Sequence, residues 1–148
     1  MIRIATPWDG EVIIKMLERY KNESPLEFHK HTTDPTQARK ILAHVWAGAG
    51  VCFVSEDSSG IHGMILAVKL PNIWDTDVYT MNEIAYWVNP ERRGTTAGYR
   101  LLKEYVAHCK ELKDKGRIEY YTVSKMSTSP DLDYGRFGFN KLEEMWSQ

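Results

Sequence analysis

Cysteine is nearly absent from this 148-residue chain, proline is sparse, and neither sign of charge dominates. The two cysteines, Cys52 and Cys109, fall in an apolar strand-like run and in a helical pattern. A disulfide framework is therefore not expected, a reducing cytoplasmic setting is, and both thiols read as small core residues. With 19 basic and 20 acidic residues the formal charge is −1, which leaves no basic face of the kind a dedicated nucleic-acid binder shows. No apolar run approaches the ~20 residues of a spanning helix; the longest, Met64-Ile-Leu-Ala-Val68, is strand-sized. The opening MIRIATPWDG lacks the apolar centre of a secretory leader. What is present is a hydrophobic content of 43%, enough for one sizeable core, so a single domain over residues 1–148 is expected.

There is no internal repeat and no low-complexity segment. Ile2 to Ala5 alternates like a short first strand, stopped by Pro7, Asp9 and Gly10. Val12 or Ile13, Met16, Leu17 and Tyr20 then recur at helical spacing, and Lys21 to Thr33 reads as a loop broken by Pro25. Asp34, Pro35 and Gln37 start a second helix with an apolar stripe from Ala38 to Ala49, closed by Gly50. Val51–Val54 and Ile61–Val68 form a hairpin around Asp57-Ser-Ser-Gly60, and Lys69 to Thr80 is irregular. Asn82 to Val88 is a strand, with Ile84, Tyr86 and Val88 expected on one face and Glu83, Ala85 and Trp87 on the other. A long helix from Thr95 to Lys115, a strand from Arg117 to Ser124, a short helix from Ser129-Pro130 and a last strand from Phe139 to Trp146 complete the order β-α-α-β-β-β-α-β-α-β.

The chemistry concentrates between the fourth strand and the long helix, where the chain reads Val88-Asn-Pro-Glu-Arg-Arg-Gly-Thr-Thr-Ala-Gly98. A small-residue turn opening into a helix suits a phosphate: unpaired N–H groups and the positive end of the helix dipole converge, and small side chains allow close approach. Arg92 and Arg93 can add charge-assisted hydrogen bonds. A plain strand-to-helix turn with solvated arginines would look the same. The Rossmann and P-loop alternatives fail, because there is no G-x-G-x-x-G and no Gly-Lys-Ser/Thr ending.

Val88-x-Pro90-x-x-Arg93-Gly94-x-x-x-Gly98-x-x-Leu101-Leu102 resembles the acyl-CoA-binding motif of the GNAT superfamily of N-acetyltransferases, whose core is Arg/Gln-x-x-Gly-x-Gly/Ala. Arg93 takes the first position and Gly98 the second glycine, while Thr96 departs from the family at the first glycine. Tyr134-Gly-Arg-Phe-Gly138-Phe139 is similar to the family's later Tyr-x-x-x-Gly-Phe. Two motifs in the right order, with a matching element order, identify the chain as a member of this superfamily. The resemblance implies an α/β (α+β) fold: a central, mixed, mostly antiparallel twisted sheet with helices on both faces.

It also implies an acetyl-CoA-dependent acyltransferase, acting by direct attack of a primary amine of a small molecule or protein. Val88 would meet the pantetheine arm, and Arg93, Gly94, Thr95, Thr96, Ala97 and Gly98 the pyrophosphate. Tyr134 would protonate the leaving thiolate, and Glu83, on the fourth strand, could accept the proton of the amine. The acceptor site is expected from the irregular segments, namely Trp8, the Lys21–Thr33 loop, and Trp74, Asp75, Asp77 and Tyr79, whose charge and rings would suit a cationic amine. Ordinary solvated loop residues would read alike. His29-Lys-His31 lacks a further ligand cluster, so no metal is expected. No membrane partner and no nucleic acid are expected, and a homodimer stays open. The alternative is a non-catalytic GNAT-fold module that binds acyl-CoA or regulates a partner.

Overall fold

Alternation puts Cys52, Val54, Met64 and Leu66 on one side of two adjoining strands and Val51, Phe53, Ile65 and Ala67 on the other. Both faces of this sheet therefore need cover. The computed structural model, which describes residues 1–32, 34–129 and 132–148, shows where it comes from. The elements are β1 (Ile2–Ile4), α1 (Gly10–Asn22), α2 (Thr36–Trp46), β2 (Gly50–Asp57), β3 (Gly60–Pro71), β4 (Tyr79–Val88), α3 (Ala97–Asp114) and β5 (Tyr120–Thr122). The strands lie in the order β1-β2-β3-β4-β5, antiparallel except for the parallel pair β4 and β5. Ile13, Ile14 and Met16 of α1 with Leu42 and Val45 of α2 cover one face; Leu101, Leu102, Tyr105 and Cys109 of α3 cover the other. The expected fold class is thus present, with both cysteines free and buried.

β4 departs from simple alternation. Leu66 pairs with Ala85 but Ala67 pairs with Glu83, which leaves Ile84 as a bulge. Directly paired residues share a face, so Glu83 goes with Ala67 to the α3 side, joining Tyr86 and Val88, while Ala85 and Trp87 face α1 and α2. The expected grouping of Glu83 with Ala85 and Trp87 is corrected by this one residue, and Ile84 itself is left 38% exposed.

The C-terminal expectation is corrected as well. Phe139 to Trp146 forms no strand: Leu142, Met145 and Trp146 are exposed and the segment has no regular structure. Its apolar residues stand at 139, 142, 145 and 146, a spacing that cannot put them on one side of a pleated strand. Only Phe139 finds cover, against the rings of Tyr121 and Tyr134. The strand expected over Arg117 to Ser124 shortens to Tyr120–Thr122. The short helix expected from Ser129-Pro130 falls partly outside the described residues, and a 3-10 turn follows at Tyr134–Phe137. A 3-10 turn also occupies Glu27–His31 within the expected loop.

β1 is tied down by charge. Arg3 donates to both oxygens of Asp9, at 2.8 and 3.0 Å, and to Glu56 Oε2 at 2.7 Å, while the Thr6 N–H donates to Asp9 Oδ2. The Arg3 guanidinium holds the mostly buried Asp9 carboxyl down to about 2, against an ordinary value of 3.8. A depressed carboxylate stabilises the fold above its unfolded value and loses that contribution as pH falls from 3.8 toward 2. Asp9→Asn is accordingly expected to cost about 2 kcal/mol at pH 7 by urea denaturation. The difference from the unmodified protein should shrink steadily below pH 4.

Candidate active site

β5 pairs only with Thr80–Asn82, and β4 then runs on to Val88 still paired with β3 on one edge but, among the described residues, with no strand on the β5 side. The parting begins where the Ile84 bulge begins, as expected from the extra local twist a bulge imposes. A cleft of about 240 Å3 opens there, walled by the end of α1, β4, the turn into α3 and the segment after β5. It is lined by Glu83, Val88, Arg93, Gly94, Thr95, Gly98 and Tyr134, so residues from both sequence motifs meet. Thr96 and Ala97 do not line it.

The turn is built by its small residues. Gly94 has φ +86, a left-handed conformation that favours glycine. Thr95 Oγ1 donates to the Arg92 carbonyl at 2.7 Å and accepts the Ala97 N–H at 3.3 Å. Thr96 has φ −81 and ψ 0, an ordinary right-handed conformation, so threonine at the family's glycine position carries no backbone strain. Gly98 answers a need for space: a Cβ would lie 3.3 Å from Tyr86 Oη and 3.7 Å from Val88 Cγ2. The Tyr86 hydroxyl in turn donates to the Gly98 carbonyl. Beyond Ala97, the first N–H groups of α3 have no carbonyl one turn below them, and the positive end of the helix points the same way.

The two guanidiniums that the sequence offers to a phosphate are engaged elsewhere. Arg92 pairs with Asp57 at 2.5 Å and donates to Ser59 Oγ, both on the β2–β3 hairpin. Arg93 donates to the Val88 carbonyl at 2.9 Å and to both oxygens of Glu23. Both guanidiniums are therefore held by carboxylates of this chain while still lining the cleft.

Glu83 and Tyr134 converge on one residue. The Ser124 N–H donates to Glu83 Oε2 at 2.8 Å, and the Tyr134 hydroxyl donates to the Ser124 carbonyl at 2.9 Å. Glu83 is only 5% exposed. Burial pushes its carboxyl up to about 7, the hydrogen bonds from Ser124 opposing part of that rise. Burial likewise raises the Tyr134 phenol, with the Glu83 charge adding to it, so the hydroxyl stays protonated at neutral pH. The cleft thus holds a carboxyl that titrates near neutrality beside a phenol that keeps its proton.

The residues expected at the acceptor are not brought here. Trp74, Asp75, Asp77 and Tyr79 sit at the β3–β4 connection, at the end of β4 away from Val88, and none lines the cleft. Local contacts occupy them: Asp75 Oδ1 accepts the Asp77 N–H, Lys69 lies over the Tyr79 ring at 4.6 Å, and Trp74 is 89% exposed. Trp8 is also exposed and away from the cleft. Of the Lys21–Thr33 segment, Glu23 alone among the described residues contributes to the lining. Sequence reasoning missed Tyr20, Tyr86, Ser124 and Met126, which also line it. Tyr20 carries a signal, closing the apolar stripe of α1 with a hydroxyl, whereas Ser124 and Met126 carry none.

A family model described as the acetyltransferase (GNAT) family matches residues 14–139. No curated protein matches the sequence. Among solved structures, the fold is similar to a GCN5-related N-acetyltransferase from Ralstonia eutropha JMP134, with TM-score 0.77 and 18% identity over 100% of this chain and 97% of that chain. It is similar to a transcriptional regulator from Bacillus halodurans C-125, with TM-score 0.71 and 18% identity over 100% and 97%. A predicted acetyltransferase with acetyl-CoA from Clostridium acetobutylicum gives TM-score 0.68 and 14% identity over 100% and 94%. At these identities the structural likenesses speak to the fold, and the family model speaks to the chain: with its two motifs meeting in one split cleft, this protein belongs to the acetyltransferase (GNAT) family.

Proposed function

We propose that the chain acts as one domain and as an acetyl-CoA-dependent N-acetyltransferase, passing the acetyl group to a primary amine of a small molecule or protein by direct attack. The observation that carries this reading is the placement of Glu83 on the backbone N–H and Tyr134 on the backbone carbonyl of Ser124, at the parting of β4 and β5.

The residues present fit acetyl-CoA. The open edge of β4 from Glu83 to Val88 offers backbone groups to an amide-bearing arm, and Gly94 and Gly98 keep side chains away from the phosphate end. Bound acetyl-CoA supplies an activated thioester acyl group. Glu83, titrating near 7, is suited to take the proton from an incoming ammonium group. Tyr134 Oη holds a proton for the departing thiolate, after releasing its bond to the Ser124 carbonyl. Tyr20 and Tyr86 line the same cleft as this pair.

The test is release of free thiol from acetyl-CoA across a panel of amines and peptides. Tyr134→Phe is expected to lower the turnover number by about tenfold to a hundredfold, less than a typical general acid because a thiolate is a fair leaving group. An unchanged rate would remove Tyr134 from the proton-donor role. A wild-type protein that shows no thermal shift with millimolar CoA would refute the reading as a whole.

A further inference from the structure

We infer that Glu23 and Arg93 form a positioning pair that sets the shape of the acyl-CoA turn, and that Arg93 braces this turn rather than binding the phosphates. The inference rests on the reading of the cleft as an acyl-CoA site. Arg93 Nε donates to the Val88 carbonyl at 2.9 Å, its two terminal nitrogens donate to the two Glu23 oxygens at 3.0 and 3.3 Å, and its plane lies over the Trp87 ring, 4.6 Å from the centroid. A planar guanidinium held by a carbonyl on one edge and a bidentate carboxylate on another, with a ring against its face, is fixed in orientation. Turning it toward a phosphate would give up all of these contacts.

Glu23 is suited to the other half of the task. It caps the end of α1, its N–H bonding back to the Tyr20 carbonyl, and its own carbonyl accepts the Thr128 hydroxyl at 2.7 Å. One residue therefore joins α1, the turn into α3 and the segment after β5, three of the walls of the cleft. A second ion pair of opposite polarity lies one helical turn earlier, where Arg19 of α1 meets Glu91 of the same turn at 3.0 Å. The last turn of α1 thus grips the 90–93 turn at two points with charges crossed, which fixes its register as well as its distance. With Glu23 neutralised by Arg93, Glu83 is the carboxyl left to meet the acceptor amine among the described residues lining the cleft.

The test compares Glu23→Gln, Arg93→Gln and the double variant. CoA affinity is read by calorimetry, steady-state kinetics are measured with whichever amine the panel supplies, and amide hydrogen exchange over residues 94–98 is followed without ligand. Each single variant is expected to weaken CoA binding by about fivefold, and the double variant no more than either, because both remove the same pair. KM for acetyl-CoA should rise while the turnover number at saturation changes by less than about twofold. Exchange over 94–98 should quicken alike in all three. Weaker binding in Arg93→Gln with unchanged or tighter binding in Glu23→Gln would make Arg93 a phosphate ligand and overturn the proposal, as would additive losses. If the unaltered protein bound no CoA, the acetyltransferase reading would fail, and exchange would still judge the brace: equal quickening supports it and unaltered exchange overturns it.

Discussion

Replacing Glu83 with Gln is expected to lower kcat/KM by about a hundredfold to ten-thousandfold at neutral pH, the usual range for losing a general base, while making the protein more stable. The two effects share a cause. Glu83 is buried, and its carboxyl is raised from 4.5 to about 7. Below pH 4.5 the group is protonated in folded and unfolded chains alike and contributes no difference. Between 4.5 and 7 the unfolded chain releases its proton while the folded one keeps it, so stability falls as pH rises, levelling above the folded value. The loss amounts to about 3 kcal/mol at pH 8. Gln does not titrate, so Glu83→Gln should unfold about 6 to 12 °C higher than the unmodified protein at pH 8, with a much smaller gain at pH 5. In the unmodified enzyme kcat/KM should climb with pH through about 7 as the carboxylate forms, and the variant should lose that limb. A variant that kept both the rate and the limb would show that the base lies elsewhere.

Gly50→Ala is expected to damage the fold more than a methyl at any other glycine. A Cβ at Gly50 would stand 2.3 Å from the Ala67 carbonyl oxygen, 3.1 Å from Val68 Cα and 3.1 Å from Val45 Cγ2. Two of these are backbone atoms of β3, at Gly50's direct partner Val68 and at the neighbouring Ala67, so relief requires moving the strand itself. The cost should be about 3 kcal/mol, at the upper end of overpacking, read as a drop in the urea midpoint with little change in slope. The contrasting substitution is Gly10→Ala, at the first residue of α1, where a Cβ would meet nothing within 4 Å. That change should be neutral or stabilising by up to about 1 kcal/mol, since alanine loses less backbone freedom on folding.

Much of this was legible in the sequence because two periodicities carry it. Ile13, Met16 and Tyr20 mark α1, and the alternation through Val51–Val54 and Met64–Val68 marks strands needing cover on both faces. The turn into α3 announced itself through Pro90, Gly94 and Gly98. What escaped depends on single residues or on distance. Nothing in the local pattern marks Ile84 as a bulge, so the face of Glu83 follows only from its partner on β3. The ion pair between Arg93 and Glu23 could not be read from the sequence either, because the two residues stand far apart in it. Trp74, Asp75, Asp77 and Tyr79 look like a cation site by composition, and the length of β4 carries them away from the cleft.

The open edge of β4 has a further meaning for how this chain can diverge. If the ligand's amide-bearing arm takes the place of a missing neighbouring strand, it is recognised as a piece of β-sheet, by groups that every amino acid supplies. Such recognition is insensitive to side-chain drift. A chain can then rewrite most of its side chains and keep this edge, so long as the bulge and the parting of the strands survive.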